Sequence, residues 1–269
     1  MATAKPDYRV ICELTADDTR YDELERVLIA GSNLPGPRAN LTLAAAFADC
    51  IAAEGATEPQ WTLLTEWLAI AEDEAPSGSP REFLPFSAAQ AHGAAYPASN
   101  RDRRVDIVAR LREVANDGRW RIREAVTLAL QRIGEWDFSV LIDSLEAWLP
   151  DAAYLELRAI VAALAHPPLL RSPENARSCL AVTERVVSKV IAVDDTDRTT
   201  DEFVALKKGL GFAPSLFVAA LPDEGFPMLE RWARSGDRDL AWIVRENLKK
   251  NRLSRTFAAE VSQVAAALG

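Results

Sequence analysis

Cysteine, histidine and methionine are scarce in this chain, at 3, 2 and 2 of 269 residues. Cys12, Cys50 and Cys179 lie far apart and form no CxxC spacing. An odd, scattered set does not make a disulfide framework, so three reduced thiols in a reducing compartment are expected. With only His92 and His166 to join them, the cysteines offer no zinc-type cluster, and neither a metal nor a cofactor is predicted. Gly-rich phosphate loops, nucleophile elbows and kinase signatures are missing as well, so no residue is singled out as catalytic. Asp194-Asp195-Thr196-Asp197 has the start of a calcium loop without its central Gly and closing Glu, and reads as a solvated linker. No apolar run approaches the roughly 18–20 residues that span a bilayer, and Met1–Asp7 lacks the apolar core of a leader peptide. The expectation is a cytoplasmic, monomeric protein with no membrane association.

What is abundant is helix-forming. Ala and Leu dominate a chain that is 49% apolar and 26% charged. Both residues lose little side-chain freedom in a helix. The net charge of −9 argues against a general polyanion binder. The charge is uneven. Residues 1–82 carry 15 acids against 6 bases, whereas residues 101–132 carry 9 bases against 5 acids. Residues 234–255 are also basic, with 7 bases against 3 acids.

Apolar spacing and breakers predict about twelve helices in six pairs, with no strand. The first runs over 21–30. Asn33-Leu34-Pro35-Gly36-Pro37-Arg38 is a rigid loop, since two Pro and one Gly forbid regular helix. Asn40 caps 41–53, and Pro59 opens 60–72. Pro76-Ser77-Gly78-Ser79-Pro80 is the clearest break. A helix over 81–95 must hold Pro85 in its first turn. Asn100 caps the next, up to about 116. Helices follow over 120–133, 137–149, 151–164 and 174–193. The stretch 203–221 is interrupted by Gly209, Gly211 and Pro214, and 223–235, 239–253 and 257–268 complete the series.

One segment returns. Trp120-Arg121-Ile122-Arg123-Glu124 reappears as Trp242-Ile243-Val244-Arg245-Glu246. Arg123 and Arg245 are 122 positions apart, or three steps of about 41, a period of two-helix solenoid repeats. An apolar-x-apolar-basic pattern ends in Arg123, Arg158, Lys207 and Arg245. Asp117, Asp201 and Asp239 stand six residues before three of these, and Asp151 seven before Arg158. An Asp at a helix start accepts from free N–H groups and suits the helix dipole. A cation one and a half turns on can reach an Asp of its own or the next repeat. Arg123 and Arg245 are thus expected to be buried in a structural Asp–Arg ladder.

This pattern resembles the HEAT repeat, whose Asp and Arg stand at the same spacing. The resemblance covers residues 101–253 well, and 1–100 by helix-pair spacing alone. The chain is also similar to bacterial HEAT-repeat proteins without an assigned activity. It implies an all-α, right-handed α-α solenoid of about six antiparallel pairs forming one domain over 1–269. Irregular pairs occupy 1–99, regular repeats 100–253, and a capping helix 254–269. A fold of this kind is a scaffold and does not by itself name an activity.

Two functions are therefore carried forward. The first is a non-enzymatic scaffold that holds a protein or peptide partner on a concave face. The second follows from Trp242-Ile243-Val244-Arg245-Glu246-Asn247-Leu248-Lys249, which resembles a helix of HEAT-like DNA alkylation repair glycosylases. There a Trp and an Arg one turn apart approach duplex DNA. Trp120, Arg121, Arg123, Trp242, Arg245 and Lys249 are the binding candidates under these readings. Between the two segments no acidic residue is matched to the acid that those enzymes carry beside an aromatic neighbour.

Overall fold

A computed structural model describes residues 8–268. The leader expectation at Met1–Asp7 falls outside the described residues. The protein is all-α, with no strand among the described residues. The chain divides into two compact units, Met1–Trp136 and Asp137–Gly269.

The first unit contains α1 (Arg9–Thr15), α2 (Tyr21–Ala30), α3 (Leu41–Ala52), α4 (Glu58–Leu68), α5 (Phe83–Ala95), α6 (Arg101–Val114) and α7 (Trp120–Trp136). Its axis is α5. All of its residues are buried, because Phe83-Leu84-Pro85-Phe86 and the Ala run after it leave no polar face. It packs most extensively on α3 and α7. Small residues permit this closeness. A Cβ at Gly93 would sit 2.5 Å from the backbone of Ala129 on α7. Pro85 lies in the first turn, where its missing N–H costs nothing.

Local signals explain the helix starts. Asn40 accepts from the N–H of Leu43, and Asn100 from that of Arg103. Thr57 and Gln60 form a reciprocal capping box at α4. No local signal announces α1, a seven-residue helix that buries only Ile11, Leu14 and Thr15.

The expectation of three reduced thiols is corrected. Cys12 on α1 and Cys50 on α3 form a disulfide, with Cα atoms 5.0 Å apart across a separation of 38 residues. No local spacing announces this pair; the packing of α1 on α3 creates it. Cys179 is free and buried. Burial pushes its thiol up to about 12, which keeps it protonated and unreactive.

The second unit contains α8 (Phe138–Trp148), α9 (Tyr154–Leu164), α10 (Pro173–Ile191), α11 (Asp201–Leu210), α12 (Pro214–Ala220), α13 (Pro222–Ala233), α14 (Arg238–Leu248), α15 (Asn251–Ser254) and α16 (Ala258–Ala266). Asp137, Ser172, Thr200 and Asp237 cap α8, α10, α11 and α14. Phe203, Leu206, Phe217, Leu229, Leu240 and Ile243 fill its core. The predicted single helix 239–253 ends at Leu248 and resumes as the short α15.

Asp201–Ala220 is long and apolar enough, by length and composition, to cross a membrane, which the sequence reading did not anticipate. The turn at Gly211–Ala213 splits it into α11 and α12, and half of it is buried, as in a core helix of a folded domain.

Candidate functional site

The charged residues of the expected ladder separate into distinct environments. In the second unit Asp239, nearly buried, accepts from Lys207 of α11 at 3.0 Å and from Arg198 at 2.8 Å. Lys207 and Asp239 are thus brought together across two helices. Arg198 also reaches Asp237 at 2.8 Å, and binds the carbonyl of Val193. Burial alone would raise the pKa of Asp239, but the hydrogen bonds and charges of Arg198 and Lys207 pull it below the usual carboxylate range. The same contacts, led by Asp239, hold Arg198 more firmly charged.

Arg245 is not part of this arrangement. The expectation that it is buried against an Asp is corrected: its side chain is exposed, and it forms no salt bridge among the described residues. The reason is positional. α14 starts at Arg238, so Asp239 points into the α11 interface while Arg245 falls on the solvent side. Asp201 is the first residue of α11 and is exposed, away from the Lys207–Asp239 pair. Asp151 ends a 3-10 turn and is exposed, before α9 starts at Tyr154. Arg158 is half-buried on α9 beside Gly209.

In the first unit Arg123 donates to the main-chain carbonyls of Asp117 and Gly118, at 2.6 and 2.8 Å. The carboxylate of Asp117 is engaged by Arg119, at 2.6 Å. Arg119 is only 2% exposed, and it also caps the carbonyls of Ile70 and Ala75 after α4. Burial works against its charge, yet Asp117 more than offsets this and raises its basicity. The sequence reading passed over Arg119 and Arg198. For Arg119 the local signal is the Asp two residues before it in Asp117-Gly118-Arg119.

Trp120 and Arg121 sit in a different setting. Trp120 is 48% exposed at the start of α7. The Arg121 guanidinium stacks 4.5 Å from the Trp120 ring. It then turns inward, pairing with the wholly buried Glu82 at 3.2 Å and donating to the carbonyl of Gly36 at 3.1 Å. Gly36 is the middle of the Asn33–Arg38 loop. That loop is tied by Gly36 N–H to the carbonyl of Asn33 and by Asn40 N–H to the carbonyl of Ser32. Asn40 also donates its side-chain amide to the carbonyl of Gly31. The Leu34–Pro35 peptide is cis. Pro35, Pro37 and Arg38 face solvent. One guanidinium therefore fixes an exposed indole and an exposed proline loop in a single arrangement.

Trp242 is half-buried on α14, with the Lys207 ammonium 5.3 Å from its ring. Lys249, one residue beyond α14, is exposed and paired with Glu246. The two Trp–Arg pairs lie in different units, Trp120 and Arg123 in the first and Trp242 and Arg245 in the second. Among the described residues no group of three or more His, Cys, Asp or Glu is placed to hold a metal ion. Comparison with protein-family models and with curated proteins finds no match to this chain.

Proposed function

We propose that this chain is a non-enzymatic interaction module that holds a protein or peptide partner, built as a HEAT-like right-handed solenoid of about six helix pairs. The observation that carries this reading is the Trp120 surface. A large indole is left half exposed against Arg121, which also binds Gly36 in the loop that exposes Pro35, Pro37 and Arg38 and is itself held by a buried carboxylate. A rigid aromatic ring with a polar rim gives much contact area for little ordering entropy, which is why such residues anchor interfaces. An extended peptide laid over the indole would meet proline rings on one side and the Arg38 charge at the edge.

The test is a photo-crosslinking residue at Arg38, compared with the same group at the exposed Glu202. A partner protein captured from Arg38 and not from Glu202 is the expected result. Equal capture from both positions, or none from either, contradicts the reading.

A second reading, duplex DNA binding of the alkylation-repair kind, draws on one observation: Arg245 is exposed, forms no salt bridge among the described residues, and stands one turn from Trp242. Loss of duplex binding in Arg245→Ala, with melting unchanged, would favour it. Duplex binding that is absent, or unaffected by the substitution, removes it.

A further inference from the structure

The turn between α11 and α12 carries Phe212, which is 46% exposed. The backbone of this turn is held in place from several directions. Asn247, wholly buried on α14, donates to the carbonyls of Leu210 and Ile243 and accepts from the N–H of Ser215, all within 2.8 Å. The Ser215 hydroxyl donates to the carbonyl of Phe212 at 2.7 Å. Trp242 closes against the preceding residue, since a Cβ at Gly211 would come within 2.9 Å of its indole. The two aromatic side chains therefore stand on neighbouring ground.

Two cations flank Phe212. The Arg252 guanidinium lies 4.9 Å from the ring centre and the Lys250 ammonium 5.6 Å. Neither forms a salt bridge among the described residues. Arg252 donates to the hydroxyl of Ser215 at 3.1 Å, a neutral partner. Partial burial weakens its hold on the proton, with no carboxylate to restore it. Arg245 adds an exposed charge on α14. The nearby acid, Glu246, is already bound by Lys249.

A partly desolvated guanidinium without a counter-ion gains most from an arriving anion. An exposed, immobilised ring gains from a flat partner. A ligand that alternates flat rings with anionic groups uses both features. An acidic peptide would answer the cations and leave the ring bare, and a duplex hides its base faces in the stack. We propose that Phe212, Lys250 and Arg252, extended by Trp242 and Arg245, form a surface for single-stranded nucleic acid. A base stacks on Phe212, and the adjoining phosphates lie against the cations. This goes beyond the protein-binding reading and is independent of it, since it uses no residue of the first unit.

The experiment is fluorescence anisotropy of a labelled oligothymidylate with the full chain at low salt. Binding is expected, with log affinity falling linearly against log salt concentration. Phe212→Leu, which keeps apolar volume and removes the ring, should weaken binding by at least about fivefold, whereas Phe212→Tyr retains it. The double variant Lys250→Gln/Arg252→Gln should reduce the salt slope by about 0.7 for each charge removed. Absence of binding at low salt overturns the proposal. So does binding that neither variant changes, or equally tight binding of a duplex or of polyglutamate.

Discussion

The carboxylate of Glu82 and the guanidinium of Arg121 meet at 3.2 Å, with the first wholly buried and the second 9% exposed. One oxygen of Glu82 and the Nε of Arg121 have no hydrogen-bond partner among the described residues. The pair therefore serves to place the loop at Gly36 and the Trp120 ring, at a cost in desolvation. Arg121→Ala leaves a buried, unpaired carboxylate and should destabilise the first unit by roughly 3–5 kcal/mol. Replacing both residues by apolar ones, Glu82→Leu with Arg121→Met, should cost distinctly less than Arg121→Ala. Urea denaturation measures both. Equal losses would show that the Glu82 charge is not what makes the single substitution costly.

In the second unit Asp239 depends on Arg198 and Lys207. Arg198→Ala should cost about 3 kcal/mol, because Asp239 then keeps only Lys207 at hydrogen-bond distance, with the Arg238 guanidinium 3.9 Å away, in a nearly buried place. Arg245→Ala should change stability by no more than about 0.5 kcal/mol, since its side chain is exposed. Thermal melts of the two variants give the comparison. A large loss on Arg245→Ala would contradict the assignment of Asp239 to Arg198 and Lys207.

His92 is buried on α5, its Nδ1 2.8 Å from the carbonyl of Ala88 and its ring edge-on to Trp61. Burial drives its pKa down to about 4, and the nearby charges of Arg110, Asp106 and Arg103 modify this only slightly. The folded form holds the proton less tightly than the unfolded chain. The stability His92 contributes is thus complete above its ordinary pKa of about 6.5 and is lost as pH falls toward 4, by roughly 3 kcal/mol in all. Denaturation midpoints measured across that range for wild type and His92→Gln should converge as pH falls. Parallel curves would mean that His92 does not titrate differently on folding.

The Cys12–Cys50 disulfide ties α1 to α3. Closing a loop of this length should stabilise the fold by about 4 kcal/mol on chain-entropy grounds. A reductant, or Cys12→Ser, should lower the melting temperature accordingly. Alkylation of the native oxidised protein should modify no thiol, with Cys179 reacting only after unfolding. Labelling of Cys12 and Cys50 without reductant would contradict the bond.

The helical plan was legible where the signals are local. Asn40, Asn100 and Asp137 cap helices by bonding to N–H groups two or three residues on, so their spacing can be read directly. Pro85 marks a first turn for the same reason. The contacts that shape the candidate surfaces are long-range. Arg121 reaches Gly36 across 85 residues, and Arg198 reaches Asp239 across 41. No periodicity predicts which Asp a given Arg will meet, so the ladder was drawn through Arg245 when packing had placed Arg198 there. Phe212 was hidden differently: an aromatic residue in an apolar run looks like core until the turn at Gly211 leaves its ring outside.

The central claim is that the Trp120 surface holds a protein partner. Its most direct test is affinity capture from the native cell with wild type and Trp120→Ala side by side, after equal melting of the two has been established. The account predicts that a defined protein is retained by the wild type and lost with the variant. Retention of the same protein by both, or recovery of nucleic acid alone, would contradict it.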